Sequence, residues 1–557
     1  MAAREDSDRT TEKAEREAPR EKSHAEREAS AVAAGLDRSK LVVRAAVVAL
    51  GTLASRFLGL LRDMALAALF PREATDAFFV AFTIPNALRQ LLGEGAVSSA
   101  VMPVLASRRA EGGEEAGRAF FARARGMSIL ALIVVTVLGV VFAEPLTELF
   151  AGGMHKQPGQ FERTVSLTRS VFPYVIFASS AALGMAALNT RRKFAVAAFA
   201  PGLLNVAFLI AAFTLPGPFA KMGIDPAQAI VVGALFGGVL QVVAQWPALV
   251  QIGYAGRPRI DFRDPHVRQM LKRIVPMTFG IGVYYIDLIL SRRLLSGLGP
   301  GAQSYFSWAM RLCDFPQGIF VMALSTAALP SLAELAAKKD MEELQKTFSY
   351  GLRLSLFVAI PCSMGLIALA EPLVTLLFVR GQFTAADATE TARALLFQGG
   401  AIFSVAAVRQ AVPVFYALGD TRTPVLISAV DLLSFIAIAL VLRGPLGHVG
   451  VSAAVAGSSI VQMVLLLVFL RPRLGRLRGA EILASCAKTS VAAGFACVGG
   501  WGATRLLARP ASTLGGLLGF SVFSVLFLVA AWGLRSTELD GLLAAVKRRL
   551  GRKSGTK

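Results

Sequence analysis

The chain has 557 residues, 55% of them hydrophobic and only 17% charged, with a mean hydropathy of +0.58 and a formal net charge of +21. A soluble domain carries nearer a quarter charged residues, so the surplus apolar surface needs a bilayer as its solvent, and a soluble globular enzyme is excluded. The basic residues sit between apolar segments and not on a face interleaved with aromatics, which argues against nucleic acid as a partner.

Residues 1–40 alternate acids and bases with Ala and Ser. They cannot bury a core and are expected as a disordered, charged cytoplasmic tail, with no apolar run that would make a signal peptide. From Leu41 onward, apolar windows of roughly 20 residues or more recur almost without pause, about fourteen in all. Lacking water to satisfy their backbone, they are expected as helices. The fold class read from this pattern is an all-α polytopic membrane protein: a first lobe of six spans over 41–252, a second over 268–470, two further helices over 480–534, and a basic amphipathic tail over 535–557. In that tail Leu539, Leu542, Leu543, Val546 and Leu550 share one helical face beside Lys547, Arg548 and Arg549, the pattern of a helix lying on anionic lipid.

Alternate loops are rich in Arg and Lys, among them Arg108, Arg109, Arg123, Arg191, Arg257, Arg259, Arg471 and Arg473, while those near Arg72, Lys156, Lys221 and Arg380 are poor. The positive-inside bias, with an even number of spans, puts both termini in the cytoplasm. Cys313, Cys362, Cys486 and Cys497 lie inside apolar segments, and His24, His155, His266 and His448 lie far apart, so neither a metal ligand set nor a disulfide framework is expected. There is no Gly-rich phosphate loop for an ATP-driven pump.

The two halves resemble each other. SSAVMPVLA from Ser98 matches STAALPSLA from Ser325, with Pro103 over Pro330 and Phe79 over Phe306, and AALNTRR ending at Arg192 matches YALGDTR ending at Arg422. Copies with an even number of spans keep one orientation, so the lobes relate by an axis along the membrane normal, with a substrate site between them and rocking as the motion.

Charges inside four windows mark that site. The window 41–70 carries Ser55, Arg56, Arg62 and Asp63; 77–106 carries Asn86, Arg89 and Glu94, with Asp76 at its outer end; 303–335 carries Arg311 and Asp314; 268–297 carries Asp287. Arg409 stands alone in another span, with ion pairing and transport chemistry both open to it and to Asp287. A central Arg costs about 2.5–3.5 kcal/mol on insertion scales, so several imply a wet, protein-lined cavity. Arginine suits a diphosphate because its planar fork donates two parallel hydrogen bonds and stays charged. Arg56, Arg62, Arg89 and Arg311, with Ser55, Asp63 and Asn86, are the expected binding residues; Asp76, Glu94 and Asp314 are the expected supporting or gating ones. Arg56 and Arg62 point roughly 120° apart on an ideal helix, so their convergence requires Gly59 or a local unwinding.

SRFLGLLRD, TDAFFVAFTIPNALRQLLGEGAVSSAVMPVLA, LNTRRKFAVAAFAPGLLN, RLCDFPQGIFVMALSTAALPSLA and FYALGDTRTPV together resemble the signature of the MurJ (MviN) lipid II flippases, over about residues 41 to 535. The resemblance implies the multidrug/oligosaccharidyl-lipid/polysaccharide exporter fold and a non-enzymatic activity: movement of lipid II, the undecaprenyl-pyrophosphate-linked peptidoglycan precursor, from the cytoplasmic to the periplasmic leaflet by alternating access. The family's cavity arginines match Arg56, Arg62, Arg89 and Arg311, and its polar positions match Ser55, Asp63, Asp76, Asn86 and Glu94; a family Glu is Asp314 here. The implied partners are lipid II, membrane lipids, and proteins of cell-wall synthesis or division; no cofactor is implied, and coupling rests on the membrane potential or a monovalent cation. Sodium-holding positions of some relatives align with Ser291, Phe435 and Ala439, which cannot form that site; Asp287 and Asp431 lie nearby. A flippase for another lipid-linked oligosaccharide and a drug or cation antiporter of the same fold are the alternatives.

Overall fold

A computed structural model describes residues 47–90, 98–191, 193–475, 477–507, 509 and 511–544, and among them there is no strand. The first lobe begins with α1 (residues 47–69), stopped by Pro71, and α2 (Arg72–Arg89), which carries Pro85. Next comes α3 (Ser98–Val141), two helices joined at a bend where Gly113 takes φ +70°, a conformation that favours glycine. Then follow α4 (Ala143–Ala151), a 3-10 turn (Gly152–Lys156), α5 (Gln160–Val171) and α6 (Tyr174–Thr190), the last two separated by Pro173. α7 (Phe194–Thr214), the short α8 (Pro216–Lys221) and α9 (Gln228–Gln251) complete the lobe.

The second lobe repeats this order. It runs through α10 (Pro265–Ser296), α11 (Ala302–Pro316), a π-helical turn (Gln317–Val321) after Pro316, α12 (Met322–Ala337) and α13 (Met341–Ala368). α14 (Ala370–Phe378), α15 (Ala385–Gly400), α16 (Ile402–Ala417), α17 (Arg422–Leu446) and α18 (His448–Leu474) follow. AEPL opens both α4 and α14, at Ala143 and Ala370, and a break divides both α5 from α6 and α15 from α16. These coincidences carry the repeat more strongly than the segments around Pro103 and Pro330. α19 (Gly479–Arg505) and α20 (Thr513–Gly533) are appended and cross at Gly500 and Gly519, where a Cβ on Gly500 would stand 2.9 Å from the Gly519 carbonyl oxygen. Small residues at such a crossing let backbones approach closely, and Gly233 and Gly237 of α9 do the same against α7.

Ten helical stretches among the described residues are long and apolar enough to cross a membrane. α1, α2, α10 and the α11–α12 pair are outside that set. These elements occupy the four windows with internal charges, and those charges make them less apolar than the other spans. The tail differs from the sequence reading. Residues 537–544 are helical, but Leu539 is buried against Phe357 and Ala493 and Glu538 is 3% exposed, so this turn packs onto protein and leaves Leu542 and Leu543 outward. Val546, Leu550 and the basic cluster lie outside the described residues.

At the end that carries the basic loops, the segment between the lobes is strapped to α3. The Arg259 N–H donates to the Ala122 carbonyl at 2.9 Å, Arg125 Nη2 donates to the Gly256 carbonyl at 2.8 Å, and Arg123 pairs with Asp261 (3.3 Å) and Asp264 (3.0 Å). Asp264 also caps α10, accepting from the N–H groups of His266 and Val267. Gly126 makes the strap possible, since a Cβ there would lie 2.2 Å from the Arg259 oxygen. Gly126→Val is therefore expected to lift the segment and to speed trypsin cleavage after Arg257, Arg259 or Arg263 by about tenfold, the change that roughly 1.4 kcal/mol of lost docking brings; fragment masses over a digestion time course check it.

Candidate functional site

α1, α7 and α11 meet at one carboxylate. Asp63 is 1% exposed, and its two oxygens serve different lobes. Oδ1 accepts from Arg62 Nε at 2.9 Å and Nη2 at 2.7 Å, and Oδ2 accepts from Arg311 Nε at 2.6 Å. A buried carboxylate is tolerated because both oxygens receive charge-assisted bonds. Arg311 is held by Nε alone; its side chain is 42% accessible, and its two Nη groups make no hydrogen bond among the described residues. The carboxylate is sealed, while the Arg311 side chain is partly accessible and keeps its two Nη groups uncommitted.

Arg62 is fixed on a second side. Its Nη1 donates to Asn205 Oδ1 at 3.2 Å, and its guanidinium stands 5.2 Å from the Phe208 ring centre. Asn205 Nδ2 donates to the Ser55 carbonyl at 3.0 Å, so Ser55 enters through its backbone. Seven residues separate Ser55 from Arg62, and the same α7 side chain touches both, as one helix face requires. Gly59 lies against Asn205.

Arg56 does not converge on Arg62. α1 stays helical throughout, and the angular separation sends Arg56 to the second lobe. Its Nη1 donates to the Asp314 carbonyl at 3.3 Å, and a Cβ on Gly318 would stand 2.0 Å from its guanidinium carbon. The π-helical turn after Pro316 thus provides its seat. Arg409 of α16 completes the group. Its Nη1 donates to Met322 Sδ at 2.7 Å, its field reaches Arg56 and Asp314, and neither it nor Arg56 has a carboxylate within ion-pair distance among the described residues. Arg56, Arg62, Arg311 and Arg409 against Asp63 and Asp314 leave two positive charges in excess.

The other expected residues fall elsewhere. Asn86 and Arg89, three apart on α2, bond to each other at 3.1 Å. Glu94 lies outside the described residues. Asp76 is away from the cation cluster, at the end opposite the basic loops: its oxygens accept from the Gly301 N–H (2.6 Å), the Ser304 N–H (2.8 Å) and Ser304 Oγ (2.5 Å), and Thr75 and Ser304 share a further bond at 2.7 Å. A carboxylate from the first lobe therefore caps the N-terminus of α11 in the second, where it complements the helix dipole. Ser291, Phe435 and Ala439 are buried, the last two in an apolar cluster with Leu294 and Val451. Asp287 and Asp431 each have an Oδ1 without a hydrogen-bond partner among the described residues. Asn205 and the cavity placement of Arg409 escaped the sequence reading, although a lone Asn and a lone Arg in apolar helices are the available signals.

Residues 65–518 match the model of the family described as lipid II flippase MurJ. The lipid II flippase MurJ of Burkholderia cenocepacia is 36% identical over 76% of this chain and 82% of its own. A solved lipid II flippase MurJ in an inward closed conformation superposes with a TM-score of 0.71 at 23% identity, covering 87% of this chain and 97% of its own. An inward-facing multidrug resistance transporter of the MATE family, in the MOP superfamily, superposes at 0.60 and 16% identity, over 78% and 99%. With the fold, the repeat and the charged centre all in accord, the chain belongs to the lipid II flippase MurJ family.

Proposed function

We propose that this multi-pass membrane protein carries lipid II from the leaflet at its basic end to the opposite leaflet, and that the surplus guanidinium charge around Asp63 is what grips the cargo. The observation that supports this most is the half-satisfied state of Arg311: one donor anchors it to a sealed carboxylate, and two remain for an incoming anion. A diphosphate bridging Arg311, Arg56 and Arg409 would receive donors from both lobes and cancel the two excess charges. Positive-inside bias makes the basic end cytoplasmic. The Asp76 cap closes the other end, so in this state the headgroup enters from the cytoplasm while the polyprenyl tail stays in lipid. Rocking of the lobes then exposes it outside. A membrane potential negative inside favours the empty, positive cavity facing inward, by up to roughly 2.3 kcal/mol per charge per 100 mV for a full crossing. A cationic drug is disfavoured by the same excess charge.

Arg56→Ala and Arg311→Ala are each expected to lower lipid II binding by about tenfold to a hundredfold, the range for one charge-assisted hydrogen bond. Titration of the purified protein with lipid II, with pyrophosphate as competitor and undecaprenol as control, checks this; unchanged affinity in both variants defeats the proposal. Asp63→Asn strands two guanidinium groups, at roughly 3–5 kcal/mol for a broken buried pair. The empty variant should melt earlier than the native protein, and lipid II should raise its Tm by more than it raises the native one, because the ligand replaces the missing anion. In intact cells, tags at both termini are expected to resist external protease until the membrane is permeabilised.

A further inference from the structure

At the end opposite the basic loops the lobes exchange helix caps. Asp76 serves α11, and the second lobe returns the service to α1. The Gln382 N–H donates to the Ala68 carbonyl at 2.8 Å, and the neighbouring Gly381, at φ +57°, sits so close that a Cβ would stand 2.2 Å from that oxygen. Arg72 takes the carbonyls on either side: its Nη2 donates to Ala67 and to Phe70, each at 2.6 Å. Its guanidinium carbon lies 4.7 Å from the Trp308 ring centre and 5.1 Å from that of Phe383. Both rings belong to the second lobe, are essentially buried, and meet edge to face. Arg72 itself is 8% exposed; its Nε and Nη1 have no hydrogen-bond partner, and no carboxylate stands within ion-pair distance among the described residues. A buried guanidinium without a carboxylate is costly. Two ring faces and the carbonyl end of a helix are what offset that cost here.

We propose that Arg72 is the latch of the outer gate: it ties the end of α1 to the Trp308–Phe383 corner of the second lobe, and the outer side opens only when the guanidinium leaves that cage. Separating the lobes pulls α1 and α2 away from α11 and the turn 380–383, which strips the cation of both rings at once. The released side chain enters water, where its charge needs no partner. The latch acts on the gate whatever the cargo, and so stands apart from the reading of the cation cluster.

The test uses the full chain in lipid nanodiscs, its four cysteines replaced by alanine, with spin labels on Lys221→Cys in the first lobe and Ala386→Cys in the second, both exposed at the outer end. Arg72→Ala should raise the fraction of long inter-label distances by about tenfold, the equivalent of one desolvated cation–π contact. Phe383→Leu should do the same, and Arg72→Lys should fall between, since it keeps the charge but not the planar fork. Gly381→Ala, which pushes on the Ala68 oxygen, should widen the distance with Arg72 intact. If Arg72→Ala and Phe383→Leu are monodisperse and helical yet keep the native distances, the proposal is overturned, even where their Tm has fallen. Should Arg72→Ala fail to fold, Arg72→Lys and Phe383→Leu decide by the same criterion.

Discussion

The structure depends on one carboxylate shared between two lobes. Asp63 belongs to α1, but half of its hydrogen-bonding capacity is spent on Arg311 of α11. With Arg62 on its other oxygen, the group is a cation–anion–cation bridge at the lobe interface. Such a bridge is stable because the buried acid receives a charge-assisted bond on each oxygen and both arginines gain an anionic partner. It also leaves a net positive charge, which an apolar interface of the same shape would not.

Around that bridge, one lobe contributes an irregular piece of helix, the π-helical turn after Pro316 that seats Arg56, and the other contributes Asn205 on a regular helix. The cations are positioned by helices and by main-chain carbonyls, with loops playing no part, which suits a site that must keep its geometry while the lobes move. Asn205 has a double role, fixing a guanidinium with its oxygen and the α1 backbone with its amide, which ties α1 to α7.

Much of this was legible in the sequence, and what was not has identifiable causes. The helical class, the two lobes and the appended pair follow from hydropathy and from Pro103 over Pro330. The arginines of the cavity stood out because charge in hydrocarbon is expensive. Helical periodicity correctly separated Arg56 from Arg62 but could not say that each would find its partner on a different lobe, since that is a tertiary fact. Asp76 is marked in the sequence only as a supporting or gating residue; its partners, the N–H groups at the start of α11, come from 225 residues further along the chain. Arg72 passed as an ordinary loop residue, because nothing local reveals that two aromatic rings from the other lobe will close over it.

The exchanged caps at the outer end bear on how readily the molecule can switch. Every group they join, whether the N–H of Gly301 and Ser304 or the carbonyl of Ala68, lies at a helix terminus and is covered only while the lobes are together. When the lobes part, water can take each vacated position, so no polar atom is stranded dry. A seam sewn from helix ends thus behaves as a zipper, tight while shut and inexpensive to undo, whereas a seam of greasy side chains would expose its whole area at every cycle.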